Sequence, residues 1–470
     1  MKKTMQSALL VLAMLAIAPR PGAAQEQHAQ HDAAPEMPAP DDLAQDLLKE
    51  IMSRPALGLA DFNQMAIAHN PTLRQAEAMV QRSAGQARQA GLPPNPSIGY
   101  QGEQIRGGSY GGGEQGAFIQ QTFVLGGKLG LRRRVFEQQR KEAEIGVAEQ
   151  KSRVMADVGQ TFYSALAAQE IVKLRKNLLS VATDAVHTAH QLGNVGQADA
   201  PDILQAEVEA EQASVDYVAA QRQFMQEFQT LAALVGKPDT AVSPLAGDLT
   251  NPPRINTDGI LESVLRDSPS VKRAQQGIGR AKAELKSARR EPIPDLQIRA
   301  GVEQNFEPIH EAGPRPVGVQ AFASAGVTIP IFNRNQGNVA AARSSVEHAE
   351  AEANRVRLTI RKSAQSLVQM YLTDRMEAQR YKDEMIPRAA RAYQLYLEKY
   401  RNMASAYPQV IVSQRTLFQL QVAYVNVLKD LWSKAIALQN FTLSGGLEMP
   451  PVIGSSSTSL NIPGSAGGLE

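Results

Sequence analysis

The sequence predicts a mainly α-helical chain of long antiparallel hairpins, duplicated internally, with two β-strands in each copy. Three observations carry this expectation. Paired landmarks recur at offsets of 198 and 207 residues. The stretch from Lys128 to Leu192 holds no proline and alternates charged with apolar residues at helical spacing. Four short segments alternate apolar and polar side chains with the period of a strand.

The chain has 470 residues, a formal net charge of +2, 5% aromatic residues and no cysteine. Near-neutral charge gives no reason to expect a nucleic-acid partner. The lack of cysteine excludes disulfides, Cys-zinc sites, Cys nucleophiles and a lipidated N-terminal cysteine. Lys2 and Lys3 precede an apolar run from Ala8 to Ala18, and small Gly22 and Ala24 precede Gln25. This is the pattern of a signal peptide over 1–24. No later run of about 18 apolar residues predicts a transmembrane helix, but a β-barrel leaves a weaker signal than that. A polar segment follows over 25–55.

The duplication organises what comes next. A-H-N-P-T-L at 68–73 matches R-D-S-P-S-V at 266–271, and Pro96 matches Pro294. F-V-L-G-G-K-L-G at 123–130 matches P-I-F-N-R-N-Q-G at 330–337, and Pro201 matches Pro408. Four landmarks in one order indicate two repeats, 56–236 and 256–442. A proline-rich linker, 237–255, joins them, and 443–470 is expected to be a flexible tail. Each repeat reads as short helix, helix, strand, strand, very long helix, turn, helix.

The first long helix, 65 residues, would span roughly 100 Å. Ile171, Leu174, Leu178, Val181 and Ala185 give it a 3-4-3-4 seam. Its counterpart is expected from about Asn338 to Arg401, with a kink at Pro387. Helices this long need long partners, and 72–91, 202–235, 270–290 and 409–440 are the segments on offer.

The strands are expected at 97–105, 115–125, 296–303 and 317–329. Ala117, Ile119, Phe123 and Leu125 share one face, interrupted by Gln121, as do Leu296, Ile298, Ala300 and Val302, and the odd-numbered residues from Val317 to Ile329. No other segment looks free to cover that face, which favours a membrane strand over a soluble sheet. Four strands close no membrane barrel, and open edges are not tolerated in lipid, so several chains would have to share one barrel.

These stretches, with G-N-V-G-Q-A-D-A-P-D-I-L-Q-A at 193–206, resemble the TolC-like outer-membrane factors over about residues 56–442. The resemblance implies a homotrimer in the outer membrane of a Gram-negative bacterium. Four strands per chain would complete a twelve-stranded barrel above a helical tube crossing the periplasm. It also implies a passive exit duct without cofactor or catalysis, served by a periplasmic adaptor and an inner-membrane pump. The I-P-I-F-N-R-N-Q-G form looks most like the branch that works with heavy-metal pumps of the resistance–nodulation–division class. Drug export and type I secretion stay open as alternatives, as does a soluble periplasmic coiled-coil scaffold.

Candidate sites are few. G-G-K-L-G at 126–130 is no phosphate loop, because Thr122 stands where the earlier glycine is needed and no Ser or Thr follows Lys128. His28 and His31 lie beside Asp32, and His187 and His190 are three apart on the long helix. Either pair could hold a divalent ion, or be solvated. Asp199 and Asp202 flank Pro201 at the expected inner tip. They suit helix capping, and in an oligomer they would also ring the entrance with carboxylates. Arg401, at the second tip, could pair with either. Gly126, Gly127, Pro330, Asn333 and Gly337 are expected to make the barrel-to-tube junctions.

Overall fold

In a computed structural model of the chain, residues 50–51, 53–107, 110–194, 199–309, 315–402 and 407–450 are described. The signal peptide, His28, His31 and the final twenty residues lie outside them.

In the first repeat, β1 (Leu57–Gly58) leads into α1 (Leu59–His69) and α2 (Pro71–Ala90). Strands β2 (Ser97–Glu103), β3 (Arg106–Gly107), β4 (Tyr110–Gly111) and β5 (Glu114–Phe123) come next. Helices α3 (Lys128–Asn194) and α4 (Ala200–Leu234) complete the repeat. After β6 (Leu245–Ala246) the order recurs with α5 (Thr257–Asp267), α6 (Pro269–Arg290), β7 (Leu296–Ile309) and β8 (Arg315–Val327). Then α7 (Gln336–Arg380), a π-turn (Tyr381–Met385), α8 (Ile386–Arg401) and α9 (Tyr407–Gln439) close the second repeat.

The first paired landmark marks a helix start in both copies. Asn70 caps α2, its Oδ1 accepting from the Thr72 amide at 2.9 Å, and Pro71 opens the helix where a missing N–H costs nothing. Ser268 and Pro269 occupy the same positions before α6, although the Ser268 hydroxyl makes no cap bond.

At 67 residues, α3 is about 100 Å long. It packs against α2, α4, α6 and α9 in turn. The seam differs from expectation. Ile171, Leu174, Leu178, Val181 and Ala185 are only half-buried, while Val172, Ala182 and Ala189 are buried. The most buried line therefore runs one residue later, through Val172 and the small Ala182 and Ala189. Just before Pro387, where a kink is expected, the helix passes through the π-turn. The Ile386 amide donates to the Tyr381 carbonyl five residues back, a wider loop just ahead of the residue that has no N–H.

The core lies at the middle of α3, against the C-terminal parts of α4 and α9. Phe62, Phe162, Phe224 and Phe228 interlock there, with Phe62 5.9 Å from both Phe162 and Phe228. Tyr163 stacks on Trp432 at 3.8 Å, and the indole N–H donates to the Leu249 carbonyl at 2.9 Å. The inter-repeat segment is thereby pinned to the core. Leu245 also exchanges two hydrogen bonds with the Gln169 amide, and Leu57–Gly58 pairs in parallel with Leu245–Ala246.

The tail expected from residue 443 is bound at its start. Phe441 and Thr442, both left-handed, turn the chain back after α9. Leu443 and Pro450 are buried, and the Gly445 and Gly446 amides donate to Asp157 Oδ2 at 3.0 and 2.6 Å. The Thr72 hydroxyl donates to the Gly446 carbonyl at 2.8 Å. Glycine leaves these amides open to a half-buried carboxylate, so a loop-like composition here serves docking.

Candidate functional site

The four main strands form one antiparallel sheet in the order β2-β5-β7-β8. Its register sets Ile98 opposite Ile119, Ile119 opposite Ala300, and Ala300 opposite Ala323. Tyr100, Ala117, Val302 and Ala321 form the next row. One face is thus apolar across all four strands, and it is bare: Ile98 is 80% exposed and Val319 76%. The opposite face carries Gln101, Gln120, Arg299, Glu303 and Gln320, as the period-2 alternation requires. β2 and β8 are open edges within this chain. Among the described residues no helix is long and apolar enough to cross a membrane.

Below the sheet the two junctions use different chemistry. Gly126 and Gly127 have φ of +72° and +68°, a pair of left-handed residues that only glycine takes readily. A Cβ on Gly126 would also meet Ile293 at 2.6 Å. In the second junction the left-handed residue is Asn335, at φ 60°, capping the start of α7. Its Nδ2 donates to the Ala288 carbonyl at 2.8 Å, and its own amide donates to Asn333 Oδ1 at 3.1 Å. Gly337, expected as a turn residue, is already helical, and a Cβ there would meet nothing. Asparagine can take the strained position because its short amide bonds locally. Asn335→Ala is expected to cost about 2 kcal/mol, roughly half from strain and half from the lost bond to Ala288. Asn335→Gly should cost about 1 kcal/mol. Chemical denaturation in detergent measures both.

Leu125, Ile329, Ile331 and Phe332 lie exposed beside the junctions, Phe332 at 90%. A ring so exposed between a bare apolar sheet and polar helices suits a membrane–water interface.

At the far ends of the helices, Ala189, Ala206, Tyr407, Val410 and Ile411 form a small separate core. Tyr393 and Tyr400 pack on it, and the Tyr400 ring lies 5.2 Å from that of Tyr407. Sequence reasoning missed these tyrosines, although Tyr400 and Tyr407 bracket the second turn. Burial pushes the Tyr407 phenol up to about 12, helped by Tyr400, Glu209, Tyr393 and Asp202. Since this value lies above the ordinary 10.0, the stabilisation is complete below pH 10 and is lost as pH rises to about 12. Tyrosinate absorbance should show late-ionising phenols, one fewer in Tyr407→Phe.

Asp199 caps α4 by position, with φ −86° and ψ 156°, but its carboxylate makes no cap bond. Asp202 sits in the first turn, where the helix dipole favours an acid. It also helps raise the Tyr400 phenol, after burial. Arg401 is exposed, and among the described residues no ion pair joins it to either aspartate within the chain. His190 Nε2 meets Glu207 Oε1 at 2.9 Å, leaving His187 exposed beside it. Among the described residues no three His, Cys, Asp or Glu side chains gather as a metal site.

Residues 63–237 and 260–442, more than half of the chain, match the family described as Outer membrane efflux protein. The chain is 27% identical over 376 residues to the cobalt-zinc-cadmium resistance protein CzcC of Cupriavidus metallidurans, covering 80% of this chain and 87% of that one. It is 27% identical over 316 residues to the nickel-cobalt-cadmium resistance protein NccC of Alcaligenes xylosoxydans xylosoxydans, covering 66% and 70%. A solved structure of CusC superposes with a TM-score of 0.68 at 16% identity, over 82% of this chain and 92% of that one. That family is one of channels and not of enzymes. With its two matched segments, its repeated helical hairpins and its bare four-stranded sheet, the chain belongs to the outer membrane efflux protein family.

Proposed function

We propose that this chain is one protomer of a homotrimeric exit duct in the outer membrane, with most of its mass in the periplasm. It conducts heavy-metal cations passively from a resistance–nodulation–division pump and a periplasmic adaptor to the exterior. The bare apolar face of the open sheet carries the reading. Four strands cannot close a barrel, and unpaired edges in hydrocarbon cost several kcal/mol per group. Three copies, the number implied by the resemblance to TolC-like factors, supply twelve strands and leave no edge.

The cargo assignment is supported by two relatives whose names specify cobalt, zinc, nickel and cadmium resistance. Growth of a deletion strain on these metals and on an antibiotic panel tests it. Metal sensitivity is expected, and sensitivity to drugs alone would refute the cargo. Fractionation tests the duct itself, which should be a detergent-requiring, heat-modifiable oligomer and not a soluble periplasmic protein.

At the tip, Asp199, Asp202 and Arg401 are proposed to meet between protomers and hold the entrance shut. Arg401→Ser and Asp199→Ala should then raise single-channel conductance. Unchanged conductance in both would exclude such contacts.

A further inference from the structure

The polar face of the sheet carries a row that the alternation of strands does not explain. In register across the four strands stand Gly99, Phe118, Gly301 and Phe322. Each ring lies over the neighbouring glycine. A Cβ on Gly99 would sit 2.5 Å from the Phe118 ring, and one on Gly301 would meet the Ala117 carbonyl at 2.5 Å and the Phe322 ring at 2.6 Å. The glycines are therefore places for rings, and the aromatics are laid along the wall instead of standing into the space beyond it. The same device occurs in both repeats.

One row away stands Arg299, between Gln120 and Ser324. Its guanidinium carbon lies 3.9 Å from the Phe118 centroid and 5.7 Å from that of Phe322, within reach of both ring faces. Nη2 donates to Gln101 Oε1, and the Gln101 amide nitrogen donates to Glu103. Its Nε has no partner. The rings and Gln101 thus fix the cation to the wall without neutralising it by a direct carboxylate.

Among the polar-face positions of 97–103, 114–123, 296–305 and 318–326, Arg299 is the only cation. The acids are Glu103, Glu114 and Glu303, and all three lie beyond the aromatic row, toward the loops that follow β2 and β7. Moving along the strands, charge passes from acidic to aromatic to cationic.

We propose that the Phe118–Arg299–Phe322 cluster is a cationic step fixed in the lumen of the barrel, inside an acidic mouth, and that it sets the ion selectivity of the duct by lowering the permeability of cations relative to anions. This rests on the duct reading, in which the apolar face meets lipid and the polar face lines the lumen. Three copies place three guanidinium groups at one depth. At about 10 mM salt the Debye length of about 30 Å lets such a ring act across a wide lumen, and at 1 M, about 3 Å, it does not. The rings hold the guanidinium in place.

The test is reversal potential in a potassium chloride gradient, measured on the purified full chain in planar bilayers at low and high salt. Arg299→Gln should raise the permeability ratio of potassium to chloride by at least about two-fold at low salt, with little change at 1 M. Arg299→Lys should retain the wild-type ratio in sign but lose part of its size, because a lysine is not held by the rings as a planar guanidinium is. Gln297→Glu, which adds a charge one row further from the mouth, is the positive control that this face is read by permeating ions. A conducting Arg299→Gln channel with the wild-type ratio overturns the proposal while leaving the duct intact. Should the wild type form no channels, the duct reading fails and the selectivity step with it. If Arg299→Gln does not assemble, Phe118→Leu serves instead, with a smaller shift in the same direction expected and no shift counting against the proposal.

Discussion

Ala321→Arg is expected to abolish the outer-membrane oligomer, whereas Gln320→Arg, one residue earlier, should leave it intact. Both lie near the middle of the thirteen-residue strand β8. Ala321 stands opposite Val302 on the bare apolar face, and Gln320 stands opposite Glu303 on the polar face. An arginine facing lipid at the midplane of a barrel costs about 2–4 kcal/mol, so three copies cost about 6–12 kcal/mol. That rivals the whole stability of an ordinary domain, about 5–15 kcal/mol. On the polar face the same side chain finds water and a carboxylate across the strand pair, which contributes rather than costs. The measurement is outer-membrane fractionation with unheated gel electrophoresis. Equal behaviour of the two variants would mean that the apolar face does not meet lipid.

This contrast could be set from the sequence, because the alternation from Val317 to Ile329 fixes the face of every residue once one is known. The strand phases and the long helices were legible for the same reason: each is a local period repeated many times. Features that depend on what comes near in space were not. β7 runs on to Ile309 through a register shift between Asn305 and Pro308, where the alternation no longer guides the eye. The seam of α3 follows small alanines, which carry little hydrophobic signal. At the second junction Asn333, Asn335 and Gly337 all read as turn residues, and only the structure shows that Asn335 takes the left-handed position while Gly337 is already helical. The tyrosines at the tip gather from α8 and α9 only after the long hairpins have closed. Docking of residues 443–450 needs the carboxylate of Asp157, nearly 300 residues away in sequence. At the tip the contacts within the chain are the tyrosine cluster and the His190–Glu207 and Arg415–Glu209 pairs, none of which involves Asp199 or Arg401.

The first junction also gives an asymmetric expectation. Asp295→Ala should destabilise the folded chain by about 3–5 kcal/mol, while Lys128→Met should be close to neutral. Lys128 is 4% exposed at the first position of α3, its Nζ 2.7 Å from Asp295 Oδ1 and 2.8 Å from the Ile293 carbonyl. A cation at a helix N-terminus is opposed by the dipole, so helix formation does not account for it. Its role is to tie the start of the tube to the turn before β7. Removing Asp295 leaves a buried ammonium with one neutral partner, and it also frees the Leu125 amide, which donates to the same carboxylate at 3.0 Å. Removing the charge of Lys128 leaves Asp295, 31% exposed, to water and the Leu125 amide, with methionine filling the space of the lysine stem. Equal losses in the two variants, read by thermal unfolding in detergent, would show that the pair acts as a unit and not through the orphaned cation. The second repeat supplies an internal comparison. At the offset of 207 the position of Lys128 is held by Asn335, whose neutral amide makes the tie to Ala288. Losing that tie strands no charge, so the two junctions should differ in cost although they stand at matching places in the duplicated chain.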